Sequence, residues 1–228
     1  MDWIRERGRR IKFSINGFMP STGKGQLDIG ESGFYSFQGS GRVVMDNTYG
    51  KFVIIEGLTG SGKSTTAKAL AVRIGATYLD PVDDIFSVPR RVIESDADLL
   101  AARHALFLTA ILYSSANIKR IRATGKSVVV DSWIYRTNAT HMALGSQLEV
   151  NIPSDFEIET RSFFLDCPEL IRLSRKATRG QPDGFWKAMC ESKSQEIIEN
   201  YKALSPSTVF LDASGSTTDI VDSIMGHL

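Results

Sequence analysis

Residues 57–64 read Gly57-Leu58-Thr59-Gly60-Ser61-Gly62-Lys63-Ser64, and the architecture of the chain can be inferred from this segment. It follows a strand-like apolar run at residues 52–56 and leads into residues 65–74, which are patterned as a helix. Glycines let the backbone wrap closely, so that successive N–H groups and the positive end of a helix point at phosphate oxygens. Strand, loop and helix in this order predict a phosphate-binding loop for a nucleoside triphosphate.

Two side chains of the loop have separate predicted roles. Lys63 supplies a point charge that can reach the β- and γ-phosphates, and the Ser64 hydroxyl can hold Mg²⁺. We therefore expect a nucleoside triphosphate and Mg²⁺ as ligands. The predicted nucleotide-binding residues are Gly57, Leu58, Thr59, Gly60, Ser61, Gly62, Lys63, Ser64 and Thr65.

The composition limits the class of protein. Of 228 residues, 42% are hydrophobic and 23% are charged, as in a soluble globular protein. Residues 51–228 are nearly neutral, which argues against a nucleic-acid groove and favours a small-molecule substrate. We expect no membrane span, because the longest apolar candidate is residues 106–113. Cys167 and Cys190 have no metal-ligand spacing, which favours buried thiols in the reducing cytoplasm.

The chain divides into two regions near residue 50. Residues 1–50 hold nine of the 19 glycines. We predict a weakly ordered, glycine-rich N-terminal extension there, with a small accessory β-element as the alternative. Residues 51–228 are predicted to form the nucleotide-binding domain.

From residue 51 onward, strand and helix patterns alternate. This alternation predicts an α/β fold with a five-stranded parallel sheet and helices on both faces. The predicted strands are residues 52–55, 76–79, 128–130, 162–165 and 209–211. The predicted helices are residues 63–74, 96–123, 134–144, 168–178, 185–204 and 217–227.

Two aspartates end predicted strands, where parallel sheets bind their ligands. Asp131 can bind Mg²⁺ beside the phosphate loop, although a helix N-cap would explain it as well. Asp80 can orient an acceptor or take a proton from it. A plain turn is the alternative for Asp80, since Asp-Pro is common turn chemistry.

A cationic helix face follows the fourth predicted strand. Its members share one side of a helix, and Gly180, Pro182 and Gly184 then predict a mobile loop. Such a face can close over a transferring phosphoryl group as a lid, whereas a solvated basic surface is the alternative. The four residues are Arg172, Arg175, Lys176 and Arg179.

Four stretches together resemble the thymidylate kinase family of P-loop nucleoside and nucleoside-monophosphate kinases. They are FVIIEGLTGSGKST at residues 52–65, GKSVVVDSW at 125–133, LDCPELIRLSRKATRG at 165–180 and LDAS at 211–214. The resemblance covers residues 51–228. It implies a P-loop kinase fold with an arginine-bearing lid, a homodimer, and Mg²⁺-dependent transfer of the ATP γ-phosphoryl group to a nucleoside monophosphate. The catalytic residues it implies are Lys63, Asp131, Arg175, Arg179 and Asp80.

The chain departs from that family on the acceptor side. Ser132 stands where the family's Asp-Arg-Tyr has arginine, and Arg136, one turn further on, is a candidate to replace that charge. The family's mid-helix arginine is replaced around Tyr113-Ser114. The stretch Asp80-Pro81-Val82 resembles the Glu-Pro-Val of deoxynucleoside kinases. A kinase for a deoxynucleoside or other small alcohol is therefore an alternative, and a non-catalytic ATP-binding module is a third.

Overall fold

A computed structural model of the chain describes residues 49–178 and 184–228. Residues 1–48, nearly all of the predicted extension, lie outside the described residues, and so do Arg179, Gly180 and Pro182. Gly50 already belongs to the domain, because its N–H donates to the carbonyl oxygen of Arg122 at 3.0 Å.

Five strands form one parallel sheet, which confirms the predicted fold class. They are β1 (Phe52–Gly57), β2 (Thr77–Leu79), β3 (Val128–Asp131), β4 (Arg161–Asp166) and β5 (Val209–Asp212). Their order across the sheet is β2-β3-β1-β4-β5. Every residue of the central strand β1 is buried. Since all strands are parallel, the residues at their carboxyl ends, Gly57 and Asp131 among them, meet at one edge.

The helices pack on both faces of this sheet, as the side-chain alternation along the strands requires. Phe163 packs with α1 and α8 on one face, whereas its neighbour Phe164 packs with α4 and α7 on the other. The helices are α1 (Lys63–Ile74), α2 (Ser87–Glu94), α3 (Leu100–Arg122), α4 (Ile134–Ala143), α5 (Glu169–Ala177), α6 (Phe185–Ser192), α7 (Ser194–Leu204) and α8 (Thr217–Met225).

Three helix predictions need correction. Helix α2 was missed, although its Pro89 lies in the first turn, where a missing N–H costs no hydrogen bond. The predicted helix at residues 185–204 breaks at Lys193 into α6 and α7. There Ser194 Oγ donates to the carbonyl oxygen of Glu191 at 2.6 Å, a side-chain bond that competes with helix continuation. The long helix begins at Leu100, after a 3₁₀ turn capped by the side chain of Asp96.

Helix α3 is longer than residues 106–113, the apolar segment of the sequence considered as a membrane span. With its preceding turn, Ala97–Arg122 is long and apolar enough to cross a membrane by length and composition alone. The core helix of a folded domain meets the same criterion, and α3 packs against α2, α4 and β3. Its buried side chains include Ala110, Ile111 and Ile118.

Helix α1 offers a matched test of how the core holds the phosphate loop. Leu70 is 0% exposed, whereas Val72 on the same helix is 84% exposed. Leu70→Ala should lower the free energy of unfolding by about 2–5 kcal/mol, because it leaves a cavity between α1 and the sheet. Val72→Ala should change it by less than about 0.5 kcal/mol. Chemical denaturation of both variants measures this, and equal losses would contradict the described packing.

Candidate functional site

The phosphate loop leaves β1 at Gly57 and enters α1 at Lys63. Gly60 has a φ of 86°, and a Cβ there would lie 2.7 Å from the carbonyl oxygen of Arg172. Gly62 has a φ of 98°. No side chain caps the start of α1, and its first turn has no acidic residue. The helix therefore presents N–H groups that an anion can bind.

Three side chains of the loop support this interpretation. Ser61 Oγ is buried and has no hydrogen-bond partner within residues 49–178 and 184–228. Buried hydroxyl groups are normally paired, so this oxygen fits a site that a ligand completes. Lys63 Nζ donates to the carbonyl oxygen of Leu58 at 3.0 Å, which holds the ammonium over the loop. Ser64 is exposed, so its hydroxyl is accessible to a ligand.

Two cavities adjoin the loop. The larger has a volume of about 460 Å³ and is named the acceptor cavity below. Its charged lining consists of Lys63, Asp80, Arg90, Glu94, Arg103, Asp131, Arg136 and Lys187. The smaller, of about 360 Å³, is lined by Ser61, Gly62, Thr65, Thr66, Arg175, Thr178, Gly215, Ser216, Thr217 and Ile220.

Both strand-end aspartates line the acceptor cavity. Tyr78 Oη donates to Asp131 Oδ1 at 3.1 Å, which fixes the orientation of that carboxylate. Asp80 Oδ1 accepts from the Val82 N–H at 2.9 Å, so the turn alternative is realised as well. Burial raises the pKa of Asp80, although this hydrogen bond lowers it, and the charge of Asp131 raises it further. A carboxylate with a raised pKa is the stronger proton acceptor.

The two predicted metal ligands carry oxygen donors of the kind that Mg²⁺ takes. Ser64 and Asp131 offer a hydroxyl and a carboxylate, and Mg²⁺ is commonly held by one or two such protein groups together with substrate phosphates. Bound there, the ion would neutralise charge on the β- and γ-phosphates.

Every described member of the predicted cationic face forms ion pairs or hydrogen bonds within the described part of the chain. Arg172 Nη1 lies 2.7 Å from Glu191 Oε1, and Lys176 Nζ lies 3.1 Å from Glu191 Oε2. Arg172 also donates to the carbonyl oxygen of Thr59 at 3.2 Å, which ties α5 to the phosphate loop.

Arg175 occupies a different place from Arg172. It lines the smaller cavity and donates to the carbonyl oxygens of Ser61, Ala213 and Gly215 at 3.1–3.2 Å. Arg179 lies outside the described residues. A transition-state role for Arg175 or Arg179 stays a prediction.

A buried carboxyl group and a buried guanidinium lie beneath the loop. Glu56 is 0% exposed, and its Oε1 accepts from the Trp133 N–H at 2.8 Å. Burial raises the pKa of Glu56 to about 8, although the Arg136 guanidinium opposes this shift. Arg136 is 9% exposed, and its Nε donates to the carbonyl oxygen of Gly57 at 3.3 Å. This pair connects the start of α4 to the start of the phosphate loop.

A second buried network surrounds Arg103. Arg103 Nη1 donates to His141 Nε2 at 2.8 Å, and Nη2 donates to Glu94 Oε1 at 3.3 Å. Its guanidinium carbon lies 4.6 Å from the centre of the Phe107 ring and 5.0 Å from that of Trp186. These contacts join α2, α3, α4 and α6 around one cation.

Sequence reasoning missed both buried networks. Glu56 carried a signal, because an acid within an otherwise apolar strand needs a buried partner. Arg103 and Phe107 are four residues apart on one helix, a spacing that brings side chains together. No sequence spacing relates Arg103 to His141 or to Trp186, because they belong to separate helices.

Comparisons with known proteins agree with this fold. The AAA domain family matches residues 53–199. A probable thymidylate kinase of Pyrococcus horikoshii is 26% identical over 195 residues, which is 77% of this chain and 94% of the relative. A thymidylate kinase of Leptospira borgpetersenii is 26% identical over 186 residues, 75% of this chain and 89% of the relative.

Solved structures give the same fold. Thymidylate kinase from Candida albicans superimposes with a TM-score of 0.62 at 18% identity, covering 78% of this chain and 91% of that one. Deoxyadenosine kinase from M. mycoides, with bound dATP, gives a TM-score of 0.58 at 15% identity, covering 78% and 98%.

The fold and the loop define a P-loop protein related to the nucleoside and nucleotide kinases. The chain belongs to the AAA domain family, and the resemblance to thymidylate kinases predicted from the sequence is confirmed.

The raised pKa of Glu56 predicts a pH-dependent stability. The pKa of its carboxyl is 4.5 in an unfolded chain and about 8 in the fold, so the folded state keeps the proton to higher pH. Stability therefore falls as the pH rises between these values. Glu56→Gln retains an acceptor for the Trp133 N–H but cannot ionise. From about pH 5 to 8, the wild-type chain should lose free energy of unfolding relative to this variant.

Denaturant titrations at several pH values measure this difference. Equal pH dependence of the two proteins would show that the Glu56 carboxylate is already charged in the fold at pH 5.

Proposed function

We propose that the protein transfers the γ-phosphoryl group of ATP to a nucleoside monophosphate in a Mg²⁺-dependent reaction. Lys63 and the loop amides hold the phosphates of ATP, and the adenosine side occupies the smaller cavity near Thr65 and Gly215. Ser64 and Asp131 hold Mg²⁺. Arg175 and Arg179 stabilise charge on the transferring group. The thymidylate kinase relatives support this choice of acceptor class.

The observation that carries the proposal is the position of Arg136 in the wall of the acceptor cavity and its few hydrogen bonds. This guanidinium is nine-tenths buried, lines the acceptor cavity together with Lys63 and Asp131, and uses only Nε in a hydrogen bond within residues 49–178 and 184–228. A cation on the cavity wall whose terminal nitrogens make no hydrogen bond to the described residues favours an anionic ligand. A monophosphate provides that anion at the end of the acceptor that reacts.

Asp80 orients the acceptor in this reaction. A phosphate oxygen is already charged and needs little help from a base, so the role of Asp80 toward a monophosphate is positional.

The raised pKa of Asp80 favours a second candidate, a kinase for a deoxynucleoside or another small alcohol. A hydroxyl acceptor must lose its proton, and Asp80 lies in the acceptor cavity in a state suited to take it. The fold shared with deoxyadenosine kinase is compatible with this candidate.

An acceptor panel separates the two candidates. ADP release is measured with ATP, Mg²⁺ and each of several nucleosides and nucleoside monophosphates. We expect turnover with at least one monophosphate, and turnover with free nucleosides alone would select the second candidate.

Lys63→Ala should abolish transfer at an unchanged fold, because it removes the cation at the β- and γ-phosphates. ATP binding without transfer to any acceptor would select a non-catalytic module.

Arg136 predicts how the acceptor is held. Removing it alone would leave Glu56 buried and unpaired, so the test compares Glu56→Gln/Arg136→Met with Glu56→Gln. The double variant should raise the KM for the monophosphate by about tenfold or more, since a charged hydrogen bond contributes roughly 1.5–3 kcal/mol. Its KM for ATP should not change. An acceptor KM within about twofold of the single variant's would remove Arg136 from the acceptor site.

A further inference from the structure

Arg172 of α5 lies against the phosphate loop and is almost completely buried. It is 3% exposed, and its carbonyl oxygen would lie 2.7 Å from a Cβ added at Gly60. Its side chain donates through Nη1 to the carbonyl oxygen of Thr59 at 3.2 Å. The main chain and the side chain of one residue therefore contact two consecutive residues of the loop.

A carboxylate of α6 holds this guanidinium. Glu191 Oε1 lies 2.7 Å from Arg172 Nη1, the same nitrogen that donates to Thr59. Each Nη of a guanidinium carries two hydrogens, so Nη1 can serve the carboxylate and the carbonyl oxygen together. Burial raises the pKa of Glu191, but hydrogen bonds from Lys176 and Arg172 lower it by more, which keeps this carboxylate charged at neutral pH.

The contact with Arg172 decides how the Thr59–Gly60 peptide is oriented. This peptide is trans and planar, so its C=O and its N–H point in opposite directions. Because the carbonyl oxygen of Thr59 faces α5, the N–H of Gly60 faces away from that helix. The Gly60 N–H makes no hydrogen bond to any residue that the structure describes.

We propose that Arg172, held by Glu191, is a positioning residue for triphosphate binding. By fixing the carbonyl oxygen of Thr59 on α5, it presents the N–H of Gly60 to a phosphate oxygen of the nucleotide. The inference rests on the proposed function in one respect, namely that the loop binds a triphosphate. It gives Arg172 a role at the loop, which differs from the predicted role of the cationic face as a lid.

Calorimetric titration of the full chain tests this without any turnover. The probes are inorganic tripolyphosphate, a β,γ-imido analogue of ATP, and adenosine, which has no phosphate. Arg172→Met/Glu191→Met removes the guanidinium together with its carboxylate, and such a replacement of a buried ion pair is often neutral for stability. Both phosphate probes should bind this variant about tenfold less tightly, because a hydrogen bond to a charged group is lost. The affinity for adenosine should change by less than about twofold.

Two further variants separate positioning from packing. Glu191→Gln keeps the size of the side chain but removes its charge, so tripolyphosphate should bind about threefold or more weakly than to the wild-type chain. Lys193→Met/Glu196→Met removes an exposed ion pair whose nitrogen and oxygen lie 2.8 Å apart. All three probes should bind this control as they bind the wild-type chain. Thermal unfolding shows whether each variant is folded.

The amide of Gly60 gives a local readout. In ¹H–¹⁵N spectra of the wild-type chain, its proton signal should move downfield when tripolyphosphate is added, because the N–H then donates to an anion. In Arg172→Met/Glu191→Met this shift should be smaller when the ligand is saturating. A purely structural role of Arg172 would leave the shift at saturation unchanged.

Three results overturn the inference. They are wild-type affinity for tripolyphosphate in the folded Arg172→Met/Glu191→Met chain, an equal loss of adenosine affinity in that chain, and a wild-type Gly60 signal that does not respond to tripolyphosphate.

Phosphoryl transfer is assayed separately. A selective loss of tripolyphosphate binding in Arg172→Met/Glu191→Met supports the inference even if no monophosphate is phosphorylated. Transfer to a monophosphate, together with unchanged tripolyphosphate binding in that variant, removes the inference and leaves the proposed function in place.

Discussion

Phosphate binding by this protein depends on a backbone path that only glycine takes without strain. The loop after β1 turns with positive φ at Gly60 and Gly62, and it does so in contact with the backbone of α5. A side chain at Gly60 would collide with the carbonyl oxygen of Arg172. The glycines thus allow two things together, convergence of N–H groups at the start of α1 and close docking of the helix that carries Arg172 and Arg175.

The sheet brings residues from other strands next to the loop. Since β1 is central and parallel to β3 and β4, its carboxyl end lies between those of its neighbours. Asp131 therefore lines the same cavity as Lys63, although 68 positions separate them in the sequence. The acceptor cavity extends from this edge to the helices α2, α3 and α6.

Buried charge shapes that cavity at both ends. Near the loop, Glu56 supports Arg136 from inside the sheet, and among the helices Glu94 and His141 hold Arg103. A buried cation is costly unless groups around it compensate, and each guanidinium has an acidic partner nearby, Glu56 for Arg136 and Glu94 for Arg103. The same partners restrict its orientation, which is what a selective binding site requires.

Much of the fold could be predicted from the sequence because its signals are local. The apolar runs predicted five parallel strands and the strand end at Asp131. The glycine spacing after Phe52–Glu56 located the phosphate loop and contributed to the kinase resemblance. The helix break at Lys193 was not predictable in this way, because it depends on side-chain bonds of Ser194 that compete with the helix.

The sequence by itself determined the phosphate loop, since one continuous segment supplies its amides, its ammonium and its hydroxyl. Only the tertiary structure decided which residues line the cavity beside that loop. Arg103 obtains its partners from four helices, and Arg136 is supported by a glutamate 80 positions earlier in the chain. Such contacts form when distant elements pack around a shared cavity, and no local pattern of residues records which of them will meet.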